Sequence, residues 1–490
     1  MNFNKKHPHW WHYLVLSVLA YFVLFLKLGS FHIRMWDESM FAVNTYEMLK
    51  NGNYFSLYYD GIVDLYNTKP PLTNWLQLIS VKIFGFNELA IRLPSALAAF
   101  FTIIFSFKFT AKYFDYFWAW IVVLIILSSA GFVGFHTART GESDSILTLF
   151  LLLANVAFIE FILQSKKKYI LYFFLFLTIA FATKLFAAFL FIPAYLFLLI
   201  YYKKIKKAIF SWQFLVGLVI FIGISITLIL LREMESLGYL DIILSNDIGR
   251  LFVVPKGFEK TNYFYIENFF TIRFSIYFIF FIIGSLFLFI KRKENHTQKI
   301  LVMYFVLIAT YLLIISLSVT KLPWYDMPLY PLLALIAALP IIELINSLLI
   351  NTKNKIRIAK YLIIALIFFY PYYYRSSKSQ GNKIDDGAIL IEANGRYLFH
   401  AMRENTNLDN LKVLFHGYNG SLLFYKYKLH EQGQEIELHK NVETLNIGNK
   451  VLVCKDEHRV ALQEKFKIAQ IDNYQSADVY ILNEKTDTLH

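Results

Sequence analysis

Charged residues and cysteine are both scarce in this 490-residue chain. Charged side chains make up 17% of the sequence, against about 25% in ordinary soluble domains, and 57% of the residues are hydrophobic. This composition excludes an ordinary soluble protein and predicts a membrane protein. The single cysteine, Cys454, excludes an intrachain disulfide, so a domain outside the membrane must be held together by core packing alone.

Several motifs are also missing from the sequence. It has no internal repeat and no low-complexity linker, and the part after about Tyr372 has no phosphate-binding loop, metal-ligand cluster or recognisable catalytic triad. His32 and His136 are too few and too far apart in the sequence to predict a metal site. We therefore expect neither a metal nor a cofactor.

The net charge of +13 does not indicate a nucleic-acid partner, because the basic residues lie in short runs between apolar segments. Such runs are typical of the cytoplasmic loops of membrane proteins. The basic runs are residues 2–7, 108–116, 164–169, 203–207, 291–299 and 351–360.

The basic runs also predict the topology, since an even number of membrane crossings must separate two cytoplasmic loops. A crossing needs about 20 apolar residues. Residues 169–202 are short for two helices, yet a single helix would break the parity. We therefore predict two short helices with Lys184 at an outer turn, and about eleven helices in total. The first helix, Tyr13–Ser30, lacks a small-residue cleavage site and is expected to be retained.

The composition divides the chain into two predicted domains. Residues 1–375 form a polytopic α-helical membrane domain, within which residues 31–90 form the first outer loop. Residues 376–490 form a small extracytoplasmic α/β domain, because strand-length runs interleave with helical ones. The predicted strands are "LKVLFHG", "SLLFYKYKL", "KVLVCKD" and "DVYILN", and the predicted helix is "HRVALQEKF".

The parity argument places the remaining charged residues on the outer face of the membrane. Charges at membrane depth are costly and usually mark a functional site. Acids and bases together on one face suggest a cavity that holds an anionic group beside a general base. These residues are Asp37, Glu38, Lys69, Arg92, Arg139, Glu142, Asp144, Lys184, Lys321 and Asp326, with Tyr325.

Some of these residues have an equally ordinary structural explanation. Lys321 and Arg92 could snorkel to the interface at a helix end. Glu142 could form a structural ion pair with Arg139, and Asp144 could cap the apolar helix that it precedes. All three alternatives remain open at the level of the sequence.

Two features favour function more strongly. Asp37 and Glu38 are adjacent carboxylates that follow an apolar helix without a clear capping or local pairing role. Lys69 precedes Pro70 and Pro71, whose fixed backbone angles direct one cation to a fixed place.

These motifs resemble those of a known family. The segments "WDESMFAVNTYEMLKNGNY", "DLYNTKPPLTNWL" and "FGFNELAIRLPSALAAF" are similar to the first outer loop of polyprenyl-phosphate-sugar glycosyltransferases of the GT-C class. "ARTGESDSILTLF" resembles their second acidic motif, and "KLPWYDMPLYPLLALIAA" resembles their late Tyr-Pro helix. The resemblance covers most of residues 30–345 and is nearest to the protein O-mannosyltransferases and the lipid A aminoarabinose transferases.

The resemblance implies roles for individual residues. Asp37 matches the catalytic base that takes the acceptor's proton, and Glu38 would support it and orient the acceptor. Lys69 matches the cation that binds the donor phosphate. Arg139 and Asp144 match the second motif, with Arg139 on the phosphate and Asp144 among the catalytic residues.

The remaining predicted residues bind the phosphate or line the cavity. Lys184 is expected at the donor phosphate, although relatives often have Lys-Gly-Pro where this chain has Lys184-Leu185-Phe186. Many relatives also follow the acidic pair with Arg-Tyr, whereas this chain has Ser39-Met40-Phe41. The predicted substrate-cavity residues are Tyr66, Asn67, Glu142, Lys321 and Tyr325.

The predicted function is the inverting transfer of a sugar from a polyprenyl-phosphate donor at the outer face of the bacterial inner membrane. The acceptor is lipid A, a protein or another envelope glycan, and membrane lipids surround the protein. Two alternatives stay open. The first is a ligase of lipid-linked sugars; the second is a transporter or flippase, for which broken helices in repeat-related positions would be expected.

Overall fold

The computed structural model describes residues 9–134, 136–249, 260–290, 295–349, 365, 367–377 and 392–486. Its contacts divide the chain into two compact units. The helical unit comprises Met1–Leu26, Leu65–Thr73 and Leu93–Gly381. The sheet unit comprises Lys27–Asp64, Asn74–Arg92 and Asn382–His490.

The elements are, in chain order, α1 (Trp10–Ala20), which continues as a π-helical turn (Tyr21–Phe25), α2 (Asp37–Asn51), β1 (Tyr58–Tyr59), β2 (Ile62–Val63), α3 (Leu72–Phe84), α4 (Glu88–Tyr113), α5 (Tyr116–Ser128), α6 (Ala130–Val133), α7 (Asp144–Gln164), α8 (Lys168–Lys184), a 3₁₀ segment (Leu185–Phe189), α9 (Ile192–Tyr201), α10 (Ile205–Ile209), α11 (Trp212–Glu235), α12 (Tyr239–Ile242), α13 (Phe264–Asn268), α14 (Ile276–Ile290), α15 (His296–Leu317), a second 3₁₀ segment (Pro323–Leu329) and α16 (Tyr330–Leu349). They continue with α17 (Ala393–Arg403), β3 (Leu411–Leu414), α18 (Gly420–His430), β4 (Ile436–His439), β5 (Lys450–Val453), α19 (Asp456–Lys465), β6 (Phe466–Tyr474) and β7 (Ala477–Lys485).

Six helical segments are long and apolar enough to cross a membrane, within the described part of the chain. They are Glu88–Tyr113, Asp144–Gln164, Lys168–Phe189, Trp212–Glu235, His296–Leu317 and Pro323–Ser347. Four shorter apolar helices accompany them: Trp10–Phe25, Tyr116–Ser128, Ile192–Tyr201 and Ile276–Ile290. The total of about eleven stays a prediction, because residues 361–364 and 366, at the start of the last expected helix, lie outside the described residues.

The predicted break in residues 169–202 is confirmed by the helix bounds. Helix α8 ends at Lys184, and Leu185 has a φ of 38°, which a continuous helix excludes. Helix α9 then begins at Ile192 with Pro193 in its first turn, where the missing N–H of proline costs no hydrogen bond. The 3₁₀ segment Leu185–Phe189 therefore separates two helices.

The sheet unit contains a five-stranded mixed sheet with the strand order β4-β3-β5-β7-β6. Strand β3 pairs in parallel with β4 and β5, whereas β7 pairs antiparallel with β5 and β6. Three of the four predicted strands correspond to β3, β5 and β7, and "HRVALQEKF" overlaps helix α19.

The segment "SLLFYKYKL" was predicted as a strand and is instead helix α18. It contains no β-branched residue but three aromatic ones, so its composition does not decide between a strand and a helix. Leu422, Tyr425 and Leu429 are all at most 5% exposed, and their spacing of three and four residues places them on one helical face. Leu423 and Phe424 are buried as well, so the segment does not show the alternation of a half-buried strand.

Residues from both ends of the sequence share the core of the sheet unit. Ile33 and Ile91 belong to the same buried cluster as Val413. Tyr46 of α2 stacks on Tyr427 of α18 with 4.5 Å between ring centroids. The first-loop residues that were predicted as part of the membrane domain thus pack with the C-terminal sheet.

Candidate active site

The acidic pair lies at the start of helix α2 in the sheet unit. Trp36, the residue before the helix, has a φ of 68°, a left-handed conformation that is strained for a side chain of this size. Its carbonyl oxygen accepts hydrogen bonds from Ser39 Oγ at 3.0 Å and from the Tyr418 hydroxyl at 3.2 Å. These contacts hold the strained turn, and Asp37 follows it directly.

The two carboxylates have different environments. Glu38 is fully buried, whereas Asp37 is partly exposed. Glu38 accepts hydrogen bonds from the Arg34 backbone N–H at 2.8 Å and from Arg92 Nε and Nη2 at 2.7 and 2.9 Å. The sequence did not reveal this pairing. It makes Glu38 an anchor of the turn and leaves Asp37 as the accessible carboxylate.

Arg92 uses all five of its N–H donors. Two bind the carboxylate of Glu38, and the others bind the carbonyl oxygens of Leu28, Phe31 and His32 at 2.7 to 3.0 Å. Arg92 is only 2% exposed, so the alternative of an interfacial snorkelling side chain is wrong. Arg92 ties the segment before the acidic pair to the start of α4.

We expect Arg92→Met to lower the free energy of unfolding by about 3–5 kcal/mol, because it leaves the Glu38 carboxylate buried without its partner. Chemical denaturation of the detergent-solubilised protein, followed by tryptophan fluorescence, measures the change. Arg403→Met, at an exposed position of the same unit, is the matched control and should change stability by under about 1 kcal/mol. Equal effects of the two variants would contradict this role for Arg92.

A second buried carboxylate holds the chain before the acidic pair. Glu392 accepts hydrogen bonds from His32 Nε2 at 2.8 Å, from Arg34 Nη1 at 3.2 Å and from the Met35 backbone N–H at 3.2 Å. Burial opposes ionisation of Glu392, but these hydrogen bonds and the neighbouring charges lower its pKa to about 2. Glu392 is therefore an anion at neutral pH, and sequence reasoning missed it.

Three aromatic rings form a stack beside Asp37 in the sheet unit. Trp36 and Tyr418 are nearly parallel, with 5.0 Å between ring centroids, and Tyr59 stacks on Tyr418 at 5.8 Å. Trp36 is 51% exposed. The stack offers an aromatic surface next to the accessible carboxylate.

The lysine–proline turn belongs to the helical unit and is held through its backbone. Arg232 Nη1 donates to the Lys69 carbonyl at 2.5 Å, and Nη2 donates to the Asn67 carbonyl. The Tyr239 hydroxyl donates to the Thr68 carbonyl at 2.7 Å. The guanidinium group of Arg232 lies 4.2 Å from the centroid of the Tyr239 ring. Two side chains thus bind three successive carbonyl groups of the turn.

The Lys69 side chain itself is partly exposed. Its backbone N–H donates to Asn67 Oδ1 at 3.3 Å, and Asn67 is fully buried. Among the residues that the structure describes, no carboxylate lies within ion-pair distance of the Lys69 ammonium group. Tyr66 is 65% exposed. A cation on a fixed turn without a carboxylate partner can bind an anionic ligand.

Asp144 and Lys184 form an ion pair in the helical unit. Lys184 Nζ lies 2.7 Å from Asp144 Oδ1, and it also lies 5.2 Å from the centroid of the Tyr325 ring. Asp144 is the first residue of α7, and Ser143 is its N-cap. The structure therefore brings together one predicted catalytic acid, one predicted phosphate ligand and one predicted cavity residue.

The backbone around Tyr325 is fixed by buried groups. Tyr311 donates from its hydroxyl to the Tyr325 carbonyl at 3.0 Å. The next residue, Asp326, accepts from Arg273 Nε and Nη2 at 2.8 and 2.5 Å and from the Tyr330 hydroxyl at 2.9 Å. Asp326 is fully buried, so these contacts hold the 3₁₀ segment Pro323–Leu329 in place.

Glu142 and Arg139 make separate contacts in the helical unit. Glu142 Oε2 lies 2.5 Å from His136 Nδ1, and the His136 ring stacks on Trp324 at 3.7 Å. Arg139 donates to the carbonyl groups of Val23 and Leu26, at 3.0 and 2.9 Å, at the end of the first helix.

Lys321 is buried, with 3% of its surface exposed, so the snorkelling alternative is wrong for this residue too. Its Nζ donates to the Ser318 carbonyl at 2.7 Å and to the Lys260 carbonyl at 3.5 Å. Lys321 therefore satisfies a carbonyl group beyond the end of α15, a contact expected of a basic residue at a helix C-terminus.

Comparisons with known proteins identify the fold. Residues 68–229 match the family model described as dolichyl-phosphate-mannose-protein mannosyltransferase. A protein of Aquifex aeolicus is 25% identical over 66% of this chain and 63% of its own length. The undecaprenyl phosphate-alpha-4-amino-4-deoxy-L-arabinose arabinosyl transferase of Pseudomonas savastanoi is 28% identical over 30% of this chain and 26% of its own. The chain thus spans less than two thirds of the length of these curated relatives.

The solved structure of ArnT from Cupriavidus metallidurans bound to undecaprenyl phosphate matches 96% of this chain and 98% of its own, with a TM-score of 0.70 and 14% identity. The chain has the GT-C fold. The predicted resemblance to polyprenyl-phosphate-sugar glycosyltransferases is confirmed by the family model and this structure, and the chain is a membrane protein.

Besides Glu392, sequence reasoning missed three residues that organise the helical unit: Arg232, Tyr239 and Arg273. Arg232 and Tyr239 lie in the polar stretch 232–272 between two apolar segments, and Arg273 follows it directly. Arg273 carries the same signal as the predicted residues, an isolated charge beside an apolar helix, whereas Arg232 is followed by Glu233 and Glu235 and does not stand out. Their partners, backbone carbonyl groups and Asp326, could not be read from the sequence.

Proposed function

We propose that the protein is a glycosyltransferase that transfers a sugar from a polyprenyl-phosphate donor to an acceptor of the cell envelope, with inversion at the anomeric carbon. The observation that carries the proposal is the lysine–proline turn. Arg232 and Tyr239 bind three successive backbone carbonyl groups of this turn, the last of which belongs to Lys69. The Lys69 ammonium group has no carboxylate partner among the described residues. This arrangement suits the recognition of a phosphate.

Lys69 is proposed to bind the donor phosphate. Negative charge grows on this phosphate as the anomeric bond breaks, so a fixed cation stabilises the transition state more than the ground state. The structural relative from Cupriavidus metallidurans binds undecaprenyl phosphate, which supports a donor of this class. The two named sugars among the comparisons, mannose and 4-amino-4-deoxy-L-arabinose, are the first donor sugars to test.

Asp37 is proposed as the general base. It is the accessible member of the acidic pair, and it follows a turn that Ser39 and Tyr418 hold. Glu38 is proposed as a positioning residue, because Arg92 and the Arg34 backbone N–H bind its buried carboxylate. The acceptor gives up its proton to Asp37 while its oxygen or nitrogen attacks the anomeric carbon and the polyprenyl phosphate departs.

The ion pair of Asp144 and Lys184 is proposed to line the substrate cavity with Tyr325. A lysine that is already neutralised by a carboxylate attracts an anion less strongly than Lys69 does. We therefore assign the donor phosphate to Lys69 and a sugar-contacting role to the Asp144–Lys184 pair. The catalytic residues are proposed to act on the extracytoplasmic side of the inner membrane.

We expect Arg232→Met to lower kcat/KM by about 10- to 100-fold, because charged hydrogen bonds to two carbonyl groups of the Lys69 turn are lost. A loss in kcat at unchanged donor KM would show that Arg232 positions Lys69 for the transition state. Arg232→Lys should restore part of the activity. Met234→Ala, at a 77% exposed position of the same helix, is the control and should leave kcat/KM unchanged.

Mass spectrometry of envelope lipids and glycoproteins from a deletion strain tests the proposed function. A sugar-sized mass should disappear from one component, return with the native gene and stay absent with Asp37→Asn. Full restoration by Asp37→Asn would contradict the base assignment. Accumulation of unmodified lipid-linked sugar on the cytoplasmic side would instead favour the transporter alternative.

A further inference from the structure

The sheet unit contains a cavity of about 470 Å³ that has no role in the proposed function described above. Phe415 and Gly417, which follow strand β3, and Lys440, which follows strand β4, line it. Strands β3 and β4 are parallel neighbours, so the cavity lies at their carboxyl ends. This is the edge at which open α/β sheets bind ligands. Its volume is within the usual range for small-molecule sites.

The lining of the cavity combines cations with an aromatic ring. Lys426 and Lys440 both line it, and in the described part of the chain neither ammonium group has a carboxylate within ion-pair distance. Asp60 is the one carboxylate among the lining residues that the structure describes. The lining therefore has an excess of positive charge, which favours an anionic ligand.

The aromatic contribution comes from Tyr59, whose hydroxyl donates to Asn419 Oδ1 at 2.8 Å. This bond orients the Asn419 side chain at the cavity wall. Tyr59 is also the first ring of the stack that continues through Tyr418 to Trp36, the residue before Asp37. An aromatic ring with a polar tip, such as Tyr59, suits the apolar face and the hydroxyl groups of a sugar.

We infer that this cavity binds an anionic glycan, a sugar chain that carries carboxylate or phosphate groups, as the acceptor. Lys426 and Lys440 bind its negative charge, and the Tyr59 ring contacts one of its sugar faces. The acceptor role rests on the proposed function, whereas binding to the cavity can be measured without any transfer reaction.

The test uses the full chain in detergent micelles and isothermal titration calorimetry with trigalacturonate. The same trisaccharide as its methyl ester removes the charge and keeps the sugar. Lys426→Gln/Lys440→Gln should weaken trigalacturonate binding by about tenfold or more, since two charge-assisted contacts are lost. Lys450→Gln/Lys467→Gln removes the same charge from exposed positions of β5 and β6 and should leave the Kd within about twofold.

Competition with inorganic phosphate distinguishes a site for phosphate groups from a site for carboxylate groups. Competition with trigalacturonate in the native protein, lost in the Lys426→Gln/Lys440→Gln variant, supports the site and identifies phosphate as an accepted anionic group. Absence of such competition, with tight trigalacturonate binding, supports the site and identifies carboxylate.

Three results would overturn the inference: no binding of trigalacturonate, equal binding of its methyl ester, or an equal loss in the control double variant. The two proposals fail separately. If Asp37→Asn abolishes transfer but trigalacturonate does not bind, the transferase proposal is supported and the acceptor site is contradicted. If trigalacturonate binds but no sugar is transferred, the binding site is supported and the transferase proposal is contradicted.

Discussion

Replacing Asp37 by asparagine is expected to lower kcat by about 10²–10⁴, the usual contribution of a general base. Asparagine has nearly the same size and shape as aspartate but cannot accept the acceptor's proton. Since donor binding does not involve this proton, the donor KM should change little. Initial rates of sugar transfer by the purified protein, at saturating donor, measure the effect.

The matched control is Asp456→Asn, which changes a carboxylate that is 91% exposed in the first turn of α19. It should retain native kcat. Asp37→Asn should unfold at the same denaturant concentration as the native protein, because the buried pair of Glu38 and Arg92 stays in place. A loss of kcat would then reflect chemistry and not stability. A kcat within threefold of the native value would exclude Asp37 as the base.

Lys69→Met is expected to lower kcat by about 10²–10³, which is typical for the loss of one group that stabilises developing negative charge. Methionine preserves the length and apolar stem of lysine. The turn should remain folded, since Arg232 and Tyr239 bind its backbone and not its side chain. Single-turnover rates with a polyprenyl-phosphate sugar separate this effect from donor binding.

Lys69→Arg keeps the charge and should restore part of the rate. Lys82→Met, which removes an exposed lysine from α3, serves as the control and should leave the rate unchanged. Native kcat in Lys69→Met would refute the phosphate assignment and would direct attention to Lys184 as the donor cation.

The sequence was most informative where a long hydrophobic pattern determines the structure. The apolar runs between basic blocks predicted the candidate spans, and the short run 169–202 predicted a helix break at Lys184. Both follow from the length needed to cross hydrocarbon and from the charge of the intervening loops. The family motifs predicted the GT-C fold because several of them occur in order over most of residues 30–345.

The sequence was least informative about partners that are distant along the chain. Glu38 and Arg92 looked like two independent charges, yet they form one buried pair across 54 positions. Arg232 donates to the Lys69 carbonyl group across 163 positions of the sequence. Every residue has a backbone carbonyl group, so the sequence does not reveal this contact. Helix α18 was missed because a short apolar run that contains aromatic residues is compatible with either a helix or a buried strand.

The central claim is tested most directly by incubating the purified protein with undecaprenyl-phosphate mannose or with its 4-amino-4-deoxy-L-arabinose counterpart, and by measuring the release of free undecaprenyl phosphate in the presence of cell-envelope extract. We expect release with one of the two donors in the native protein, and loss of that release in both Lys69→Met and Asp37→Asn. Absence of release with both donors, or equal release by the native protein and both variants, would contradict the proposed transferase.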